Sequence, residues 1–462
     1  YYRQQPVWKP CERTYQCTTV QVPLDYSAPD GERIELAVIR LKAKNQSQRL
    51  GSLVVNPGGP GGSGYDMVKD SEGELLTAPV AERYDLVGFD PRGVGRSEKI
   101  ACLNDADNDR MSQIDGSPDT AEERAKLDEW QGKYVAACEK NSGDLLPHVG
   151  TRNAARDMDV LRAVLGDEKL NYLGYSYGTY LGAVYADLFP TRTGRLVLDA
   201  AVDPAVDAAA SNEQQAMGFE KAFTAFLGDC VKQADCPYKG RTVDQARSAV
   251  ITLINKAEAK PLPTDEARVV TGTVVTLGIA FTLYDKEAWE YLRVGLTEAE
   301  RTGTGNVLLA LVDAMNGRGD DGRWDGSSDA LTAVNCADAP LAVDDAQIQA
   351  KIAEYKKTAP VFGPVMAWGG KACVNWPASP AADRPGAFTV EGAAPALIIG
   401  GSRDPATPVE WSHGLGRAYQ GSVVLVRDGD GHGSYGDNAC VNRAVEAYLT
   451  AGTLPKTGVV CR

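Results

Sequence analysis

The chain has 462 residues, more than one ordinary hydrophobic core supports, so we expect a large domain and a second structural unit. Hydrophobic residues make up 43% and charged residues 24%, as in globular proteins, and the net charge of −14 argues against nucleic acid or an anionic membrane as a partner. No apolar run reaches the length that spans a bilayer. Because the sequence begins at Tyr1 without Met, we expect that any signal peptide has been removed.

Ten cysteines indicate an oxidising compartment, and none has the Cys-x-x-Cys spacing of zinc or thioredoxin sites. Pairing neighbours in sequence order would close five short loops. Ten reduced, buried cysteines are the alternative, and the sequence does not prove the connectivity. We therefore expect a secreted protein with disulfides between neighbouring cysteines: Cys11 and Cys17, Cys102 and Cys138, Cys230 and Cys236, Cys336 and Cys373, and Cys440 and Cys461.

The first half of the chain predicts strands that alternate with helices. Residues 1–32 are rich in proline and polar residues, and residues 33–44 alternate apolar and polar side chains, as an outer antiparallel strand does. Residues 100–150 form a polar, acidic segment. Buried strands are predicted at residues 50–56 and 84–89, from Leu170, and at residues 194–200, and helices at residues 153–165 and up to Pro190. This alternation predicts a parallel sheet with helices on both faces.

From about residue 203 the pattern becomes almost wholly helical. Helices are predicted at residues 212–227, 243–259, 286–302, 307–315 and 345–355. Strands return at residues 395–401 and 422–427, before a closing helix at residues 444–448. We therefore predict an α/β fold, a doubly wound, mostly parallel sheet with an inserted helical cap. The core would comprise residues 1–202 and 390–462, and the cap residues 203–389.

A candidate nucleophile lies in the sequence Gly174-Tyr175-Ser176-Tyr177-Gly178, between the strand from Leu170 and the following helix. A serine in such a sharp strand-to-helix turn exposes its hydroxyl group, and the helix N-terminus favours developing negative charge. Side chains at Gly174 and Gly178 would collide with neighbouring backbone. Although Gly-x-Ser-x-Gly also occurs by chance, this context predicts that Ser176 is a nucleophile.

A serine nucleophile needs a base, and the chain has only three histidines. His432 lies in a glycine-rich loop directly after the last predicted strand, at the strand end where a doubly wound sheet gathers its site. His413 lies near the start of a predicted helix, and His148 lies in a loop after Pro147. We predict that His432 is the base.

The base needs a carboxylate to fix its tautomer. Asp404 follows the preceding predicted strand, and the order Ser176, Asp404, His432 is that of α/β hydrolases. We therefore predict Asp404 as the acid. Its rivals are four carboxylates near strand ends or beside the histidine: Asp199, Asp203, Asp428 and Asp430.

The oxyanion of an acyl-transfer intermediate needs backbone donors. One should be the N–H of Tyr177, and the other should come from the glycine-rich loop after the strand at residues 50–56. We predict Gly59 for this second role, with Gly58 as the near rival. The loop lacks the Gly-Lys-Ser/Thr ending of a phosphate-binding loop.

The turn Asp90-Pro91-Arg92-Gly93 is expected to be structural. An arginine and an aspartate that are buried together can hold neighbouring loops in place.

Four motifs together resemble the secreted bacterial tripeptidyl aminopeptidases, which are α/β-hydrolase serine exopeptidases related to prolyl aminopeptidases. The motifs are NPGGPGGSG at residues 56–64, FDPRGVGRS at 89–97, GYSYGT at 174–179 and RDPATP at 403–408. The resemblance covers nearly the whole chain and implies release of short N-terminal peptides beneath a cap domain. Prolyl aminopeptidases usually carry His-Gly-Gly-Pro-Gly in the oxyanion loop, and Pro57 replaces that histidine here, which favours the tripeptidyl branch.

An exopeptidase must recognise the α-ammonium group, which calls for a carboxylate. Asp338 is the candidate because Cys336 nearby is predicted to be in a disulfide; Asp203, Glu220 and Glu290 are alternatives, and each acid could simply be exposed. The expected substrates are peptides or proteins with a free N-terminus. We expect a monomer that needs neither cofactor nor metal and has no nucleic-acid or membrane partner.

The main prediction is a secreted serine exopeptidase that releases tripeptides. A prolyl aminopeptidase-like enzyme, or an esterase or lipase with the same triad, is the enzymatic alternative, because the fold and nucleophile turn do not fix the leaving group. A non-catalytic binding protein on a hydrolase scaffold is the third hypothesis. It is disfavoured because no triad residue is missing from the sequence.

Overall fold

The computed structural model describes residues 1–12, 14–339 and 343–462. Its strands are β1 (Lys9–Cys11), β2 (Tyr15–Pro23), β3 (Arg33–Leu41), β4 (Gly51–Asn56), β5 (Tyr84–Phe89), β6 (Leu170–Tyr175), β7 (Thr193–Asp199), β8 (Leu397–Arg403), β9 (Val423–Asp430) and β10 (Val460–Cys461). They form one sheet with the order β1-β2-β3-β5-β4-β6-β7-β8-β9-β10. Pairing is antiparallel from β1 to β5 and parallel from β5 to β10, so the sheet is mostly parallel, as predicted.

Sixteen α-helices surround or extend this sheet among the described residues. They are α1 (Gly64–Asp70), α2 (Ala78–Ala81), α3 (Asp105–Met111), α4 (Ala121–Ser142), α5 (Thr151–Val164), α6 (Tyr177–Leu188), α7 (Ala208–Cys230), α8 (Val243–Ala259), α9 (Gly272–Thr282), α10 (Trp289–Arg301), α11 (Asn306–Asn316), α12 (Ser327–Asp338), α13 (Asp345–Thr358), α14 (Gly363–Trp368), α15 (Val409–Ala418) and α16 (Ala439–Ala451). None of these helices is long and apolar enough to cross a bilayer.

Both faces of the parallel sheet are buried, which explains its nearly continuous apolar strands. In β4, Leu53 and Val55 belong to the hydrophobic cluster that includes residues of α1, α2 and α16. Val54 belongs to the cluster that includes residues of α5, α6 and α15. Successive side chains of a strand point to opposite faces, so an uninterrupted apolar run supplies both cores.

The segment between β7 and β8 is helical and has a hydrophobic cluster of its own. Phe219, Phe223 and Phe226 of α7 pack there with residues of α8 to α11. Helix α8 coincides with the predicted residues 243–259, and its N-terminus carries a capping box in which Thr242 and Gln245 each bond the other's backbone N–H. The predicted helical run between two strands is therefore present, with α9, α12 and α14 in addition to the predicted helices.

Two polar segments contain more regular structure than their sequences predict. Residues 1–32 contribute β1 and β2, and residues 100–150 contain α3 and the 22-residue α4. Helix α4 buries few of its residues, so it has no strong apolar periodicity. Strand β2 exists because β3 pairs with it along its length, which is a contact that its own composition does not signal.

The ten cysteines form five disulfide bonds in sequence order, so the predicted pairing is confirmed: Cys11–Cys17, Cys102–Cys138, Cys230–Cys236, Cys336–Cys373 and Cys440–Cys461. The Cys336–Cys373 bond ties α12 to the chain that follows α14. Cross-links of this kind reduce the conformational freedom of the unfolded chain.

Arg92 has the structural role predicted for its turn, and its partner is Asp157 of α5. Both side chains are fully buried, and the guanidinium group donates to the two carboxylate oxygens over 2.7 and 2.6 Å. It also donates to the carbonyl oxygens of Leu24, His148 and Pro23. One side chain thus fixes the end of β2, the loop before α5 and α5 itself.

Asp157→Asn should lower the free energy of unfolding by about 3–5 kcal/mol, because it leaves the Arg92 charge buried without a counter-charge. Urea unfolding of the variant measures this change. The matched control is Glu129→Gln, which removes the acid of an exposed Glu129–Lys133 pair on α4 and should leave the midpoint nearly unchanged. An unchanged midpoint for Asp157→Asn would show that the buried pair gives no net stability.

Candidate active site

Ser176 occupies the turn between β6 and α6 in a conformation that serine rarely adopts. Its φ is 55° and its ψ is −126°. A non-glycine residue in this region is strained and persists only where its surroundings fix it. Here the Ser176 N–H donates to the Asp199 carbonyl oxygen over 3.0 Å, and the Ser176 carbonyl oxygen accepts from Thr179 Oγ1 over 2.6 Å. The strained serine at a helix N-terminus is the geometry of a nucleophile turn.

The glycines that flank Ser176 are required by close backbone contacts. A Cβ atom at Gly174 would lie 2.5 Å from the Gly178 carbonyl oxygen, and one at Gly178 would lie 2.7 Å from the Asn56 carbonyl oxygen. The predicted collision with neighbouring backbone is therefore confirmed. Any side chain at these positions would push α6 away from β6 or β4.

His432 and Asp404 form a buried pair at the carboxyl ends of β9 and β8. His432 Nδ1 lies 2.8 Å from Asp404 Oδ1 and 3.0 Å from Oδ2. Asp404 is 2% exposed, and its Oδ1 also accepts from the N–H groups of Ala406 and Thr407. Because a carboxylate only accepts, Nδ1 carries the proton and Nε2 is left as the basic nitrogen.

The pKa of His432 is shifted by several opposing effects. Burial of the imidazole lowers its pKa, but the charge and hydrogen bond of Asp404 raise it, as does the charge of Asp199. The net direction is upward from the ordinary histidine value. The two acids thus stabilise the protonated imidazole that forms when a base takes up a proton.

The other candidate histidines and acids have different neighbours. His413 is exposed on α15, and the His148 carbonyl oxygen accepts from Arg92. Asp428 and Asp430 both pair with Arg403. The remaining rivals are held by backbone groups: Asp203 accepts from the Ala205 N–H, and Asp199 from the N–H groups of Ser434 and Tyr435.

The structure brings the Ser176 and His432 segments together without a hydrogen bond between their side chains. Asp199 contacts both segments: its main-chain oxygen bonds Ser176 and its carboxylate bonds the two residues that follow Gly433. His432 Nε2 is buried, and it has no hydrogen-bond partner within the described part of the chain. The basic nitrogen therefore makes no hydrogen bond to any residue that the structure describes.

The glycine loop lies directly against the nucleophile turn. A Cβ atom at Gly58 would lie 2.9 Å from the Ser176 Cβ and 3.0 Å from the Tyr177 nitrogen. The Gly58 N–H already donates to Asn56 Oδ1 over 2.9 Å, whereas the Gly59 N–H donates to none of the residues in the described ranges. Tyr177 is the first residue of α6, so its N–H has no intrahelical acceptor. This arrangement favours Tyr177 and Gly59 over Gly58 as donors to an oxyanion.

Asp338, the candidate for binding an amine, lies at the end of α12 beside the start of α5. Its carboxylate accepts from the Thr151 N–H over 2.8 Å and from Thr151 Oγ1 over 2.5 Å. Thr151 Oγ1 is also 2.5 Å from the Tyr177 hydroxyl oxygen. Burial raises the Asp338 pKa to about 7, and no Lys, Arg or His within the described ranges forms a salt bridge with this carboxylate.

The three alternatives to Asp338 differ from it in charge balance or exposure. Glu220 is buried, accepts from the Val361 N–H and lies 3.4 Å from Arg247 Nε. Asp203 is buried and bonds its own turn. Glu290 is exposed on α10. Asp338 is therefore the one of the four that is partly accessible, linked to the nucleophile turn and without a neighbouring cation in the described residues.

A separate group of acids, Asp115, Glu123 and Glu258, has carboxylate oxygens within 4.8 Å of one another. Burial and the charges of its two neighbours raise the Glu258 pKa to about 7. Asp115 already accepts from the Ser117 N–H and from Thr273 Oγ1. Half-buried acids of this kind are common in acidic proteins, and no function is assigned to this group.

Comparison with known families covers both halves of the site. A family model described as "alpha/beta hydrolase fold" matches residues 51–298, which include Ser176. A model described as "TAP-like protein" matches residues 359–461, which include Asp404 and His432. The first spans more than half of the chain, so the predicted fold class is confirmed.

Curated relatives extend over almost the whole chain. Serine protease Hip1 of Mycobacterium tuberculosis is 38% identical over 99% of this chain and 91% of its own length. Tripeptidyl aminopeptidase of Streptomyces lividans is 32% identical over 98% of this chain and 86% of its own length. The chain belongs to the TAP family of α/β hydrolases. Another relative of this TAP-family chain, carboxylesterase B of M. tuberculosis, is 36% identical over 97% of this chain and 86% of its own length.

In this TAP-family hydrolase, Gly58→Ala should reduce kcat/KM about 10²-fold or more. Gly58 has a φ of 94°, and the added methyl group would overlap the Tyr175 carbonyl oxygen and push the glycine loop away from Ser176. Steady-state kinetics on an activated ester or anilide measures the loss. Gly132→Ala on α4 is the control, because its Cβ would meet nothing within 4 Å. Equal kcat/KM values for the two variants would contradict a close fit between the loop and the nucleophile.

Proposed function

We propose that this chain is a secreted serine exopeptidase that releases tripeptides from free N-termini through Ser176, His432 and Asp404. The observation that carries the proposal is the buried Asp404–His432 pair beside the strained Ser176 turn. The names of the relatives, a serine protease and a tripeptidyl aminopeptidase, support a peptidase. The five disulfides support an oxidising, extracellular location.

In the proposed reaction, Ser176 Oγ attacks the scissile carbonyl carbon while His432 Nε2 accepts the hydroxyl proton. Asp404 keeps the Nδ1 proton in place and stabilises the imidazolium. The N–H groups of Tyr177 and Gly59 bind the oxyanion. His432 then protonates the leaving amine. In the second half, His432 Nε2 takes a proton from a water molecule that attacks the acyl carbon, and it returns this proton to Ser176 Oγ as the bond to the serine breaks and the peptide acid leaves. A serine–histidine hydrogen bond of this kind commonly tightens only when substrate is bound.

Ser176→Ala should abolish labelling by a fluorophosphonate and lower kcat by several orders of magnitude, because no other group supplies the nucleophile. Asp404→Asn should lower kcat by about 10⁴-fold if Asp404 fixes the histidine tautomer. Fluorescence gel labelling and anilide hydrolysis measure both effects. Near-normal turnover by Asp404→Asn would show that Asp404 is not the catalytic acid, and Asp199 would then become the leading candidate. Persistent labelling of Ser176→Ala would remove Ser176 from the mechanism.

We further propose that Asp338 binds the α-ammonium group of the substrate. A partly buried carboxylate without a nearby cation is costly, and a substrate ammonium would supply the missing charge. Asp338 is connected to Tyr177 through Thr151 and the hydroxyl end of the tyrosine side chain, not through the Tyr177 backbone. An ammonium group bound at Asp338 would therefore lie toward the hydroxyl end of the Tyr177 side chain rather than at its backbone N–H.

Asp338→Asn should reduce kcat/KM for a free-amine tripeptide anilide about 10- to 100-fold and change that for the N-acetylated substrate little, because only the free amine loses a charged partner. The ratio of the two rates should also fall below about pH 7, where the Asp338 carboxyl takes up a proton. The preference should be greatest between this pKa and that of the peptide amine, about 8. Using the ratio cancels the titration of His432.

Glu290→Gln on the exposed face of α10 is the matched control and should leave the ratio unchanged. An unaltered ratio in Asp338→Asn would contradict the amine-binding role and leave Asp338 with a structural role at the start of α5. If the unaltered protein cleaved the acetylated peptide as fast as the free one, the exopeptidase proposal itself would fail.

An esterase is the second candidate function, and the relative named carboxylesterase B favours it. The same serine, histidine and oxyanion donors act on esters and amides alike. The uncompensated charge of Asp338 distinguishes the two functions, since an uncharged ester gains nothing from it. Two p-nitrophenyl esters can be compared, one whose acyl group is uncharged and one whose acyl group is a tripeptide with a free amine. A higher kcat/KM for the uncharged ester would favour the esterase.

A further inference from the structure

The loop that carries His432 is rich in glycine and needs support from other segments. Gly431 and Gly433 flank the histidine with φ values of 97° and 86°, which side-chain-bearing residues rarely adopt. Such a loop has high conformational entropy in isolation. Because His432 must be held within a fraction of an ångström of its working position, the contacts that fix this loop bear directly on the reaction.

Three groups hold the loop on both sides of the histidine. Arg427 of β9 donates to the carbonyl oxygens of Asp430 and Gly431, over 2.6 and 2.8 Å. The Tyr284 carbonyl oxygen, between α9 and α10, accepts the His432 N–H over 2.7 Å. Beyond the histidine, the Asp199 carboxylate accepts two backbone N–H groups through the same oxygen, Oδ2, from Ser434 over 2.8 Å and from Tyr435 over 2.7 Å.

Asp199 differs from the other two because it also holds the nucleophile. It ends β7, and its main-chain oxygen accepts the Ser176 N–H over 3.0 Å. Its side chain is fully buried, and the second carboxylate oxygen has no hydrogen-bond partner in the described part of the chain. Burying a carboxylate with so few hydrogen-bond partners lowers the stability of the fold. The presence of Asp199 at this position therefore suggests a functional role.

We propose that Asp199 is a positioning residue for catalysis: it fixes the His432 loop relative to Ser176 and contributes a second negative charge that stabilises protonated His432. The inference rests on the proposed function for its effect on turnover. Its effect on the imidazole does not depend on that function.

The charged and titratable groups around His432 set the sign of the expected change. Asp404 bonds the imidazole, Asp199 acts through its charge, Arg427 opposes both acids, and the Tyr284 ring packs edge-on with its centre 5.1 Å away. The charge of Asp199 raises the His432 pKa. Neutralising Asp199 must therefore lower that pKa, so neutral, basic histidine would persist to lower pH.

Asp199→Asn is the informative variant because an amide oxygen can still accept from Ser434 and Tyr435 while the charge is lost. The chain has only three histidines, so NMR titration can follow the His432 imidazole directly, with His432→Gln to assign its signal. We expect its pKa to fall in Asp199→Asn, and the acid limb of kcat/KM to move to lower pH with it. The plateau value of kcat/KM should fall about tenfold.

Asp199→Ala removes the hydrogen bonds as well and should lower the plateau about 10²-fold. Asp203→Asn is the matched control, since Asp203 is also buried after β7 but, among the described residues, its carboxylate bonds only its own turn. It should leave the His432 titration and the pH profile unchanged. If Asp199→Ala does not fold, Asp199→Asn alone decides the question.

An unshifted His432 titration in Asp199→Asn, together with a plateau kcat/KM within twofold of the unaltered protein, would overturn the proposal. Failure of the proposed function gives a different result. In that case Ser176→Ala would keep its activity, while the NMR titration of His432 would still report whether Asp199 acts on the imidazole.

Discussion

The site depends on the contact between a buried carboxylate and an imidazole, Asp404 and His432, which are 28 residues apart in the chain. They meet because β8 and β9 are adjacent and parallel, so the loops that leave their carboxyl ends emerge at one edge of the sheet. Ser176 follows β6 and Asp199 ends β7. Four consecutive strands of the sheet, β6 to β9, therefore each deliver one residue to the same place.

The buried and partly buried carboxylates of this protein have different hydrogen-bond partners, and the differences match the roles proposed for them. Asp157 has a fully buried arginine as partner and belongs to the framework that supports α5. Asp404 has the imidazole and two backbone N–H groups. Among the described residues, Asp199 and Asp338 accept hydrogen bonds only from neutral donors, and burial raises the pKa of each. An acid that forms no direct ion pair is available to act on a charge that appears during binding or reaction.

The helical segment between β7 and β8 takes part in forming the site. Its Tyr284 carbonyl oxygen bonds the backbone of His432. Helix α12 lies against the glycine loop, since a Cβ atom at Gly61 would lie 3.0 Å from the Leu331 nitrogen. The same helix ends at Asp338 and is tied down by the Cys336–Cys373 disulfide. Motions of this segment would therefore move His432, the glycine loop and Asp338 together.

The sequence by itself determined the features that act between near neighbours. Local requirements can be predicted from the sequence alone. They include the glycines around Ser176, the apolar runs of β4 to β9 and the capping of α8. The order of serine, aspartate and histidine, and the even set of cysteines, also limited the possibilities strongly. Only the tertiary structure decided that Asp404 rather than Asp199 bonds His432, that Arg92 pairs with Asp157, and that Asp338 has no cation beside it among the described residues. These pairings depend on strand order and burial, which arise from contacts between distant segments. The residues next to each side chain in the sequence do not specify such contacts.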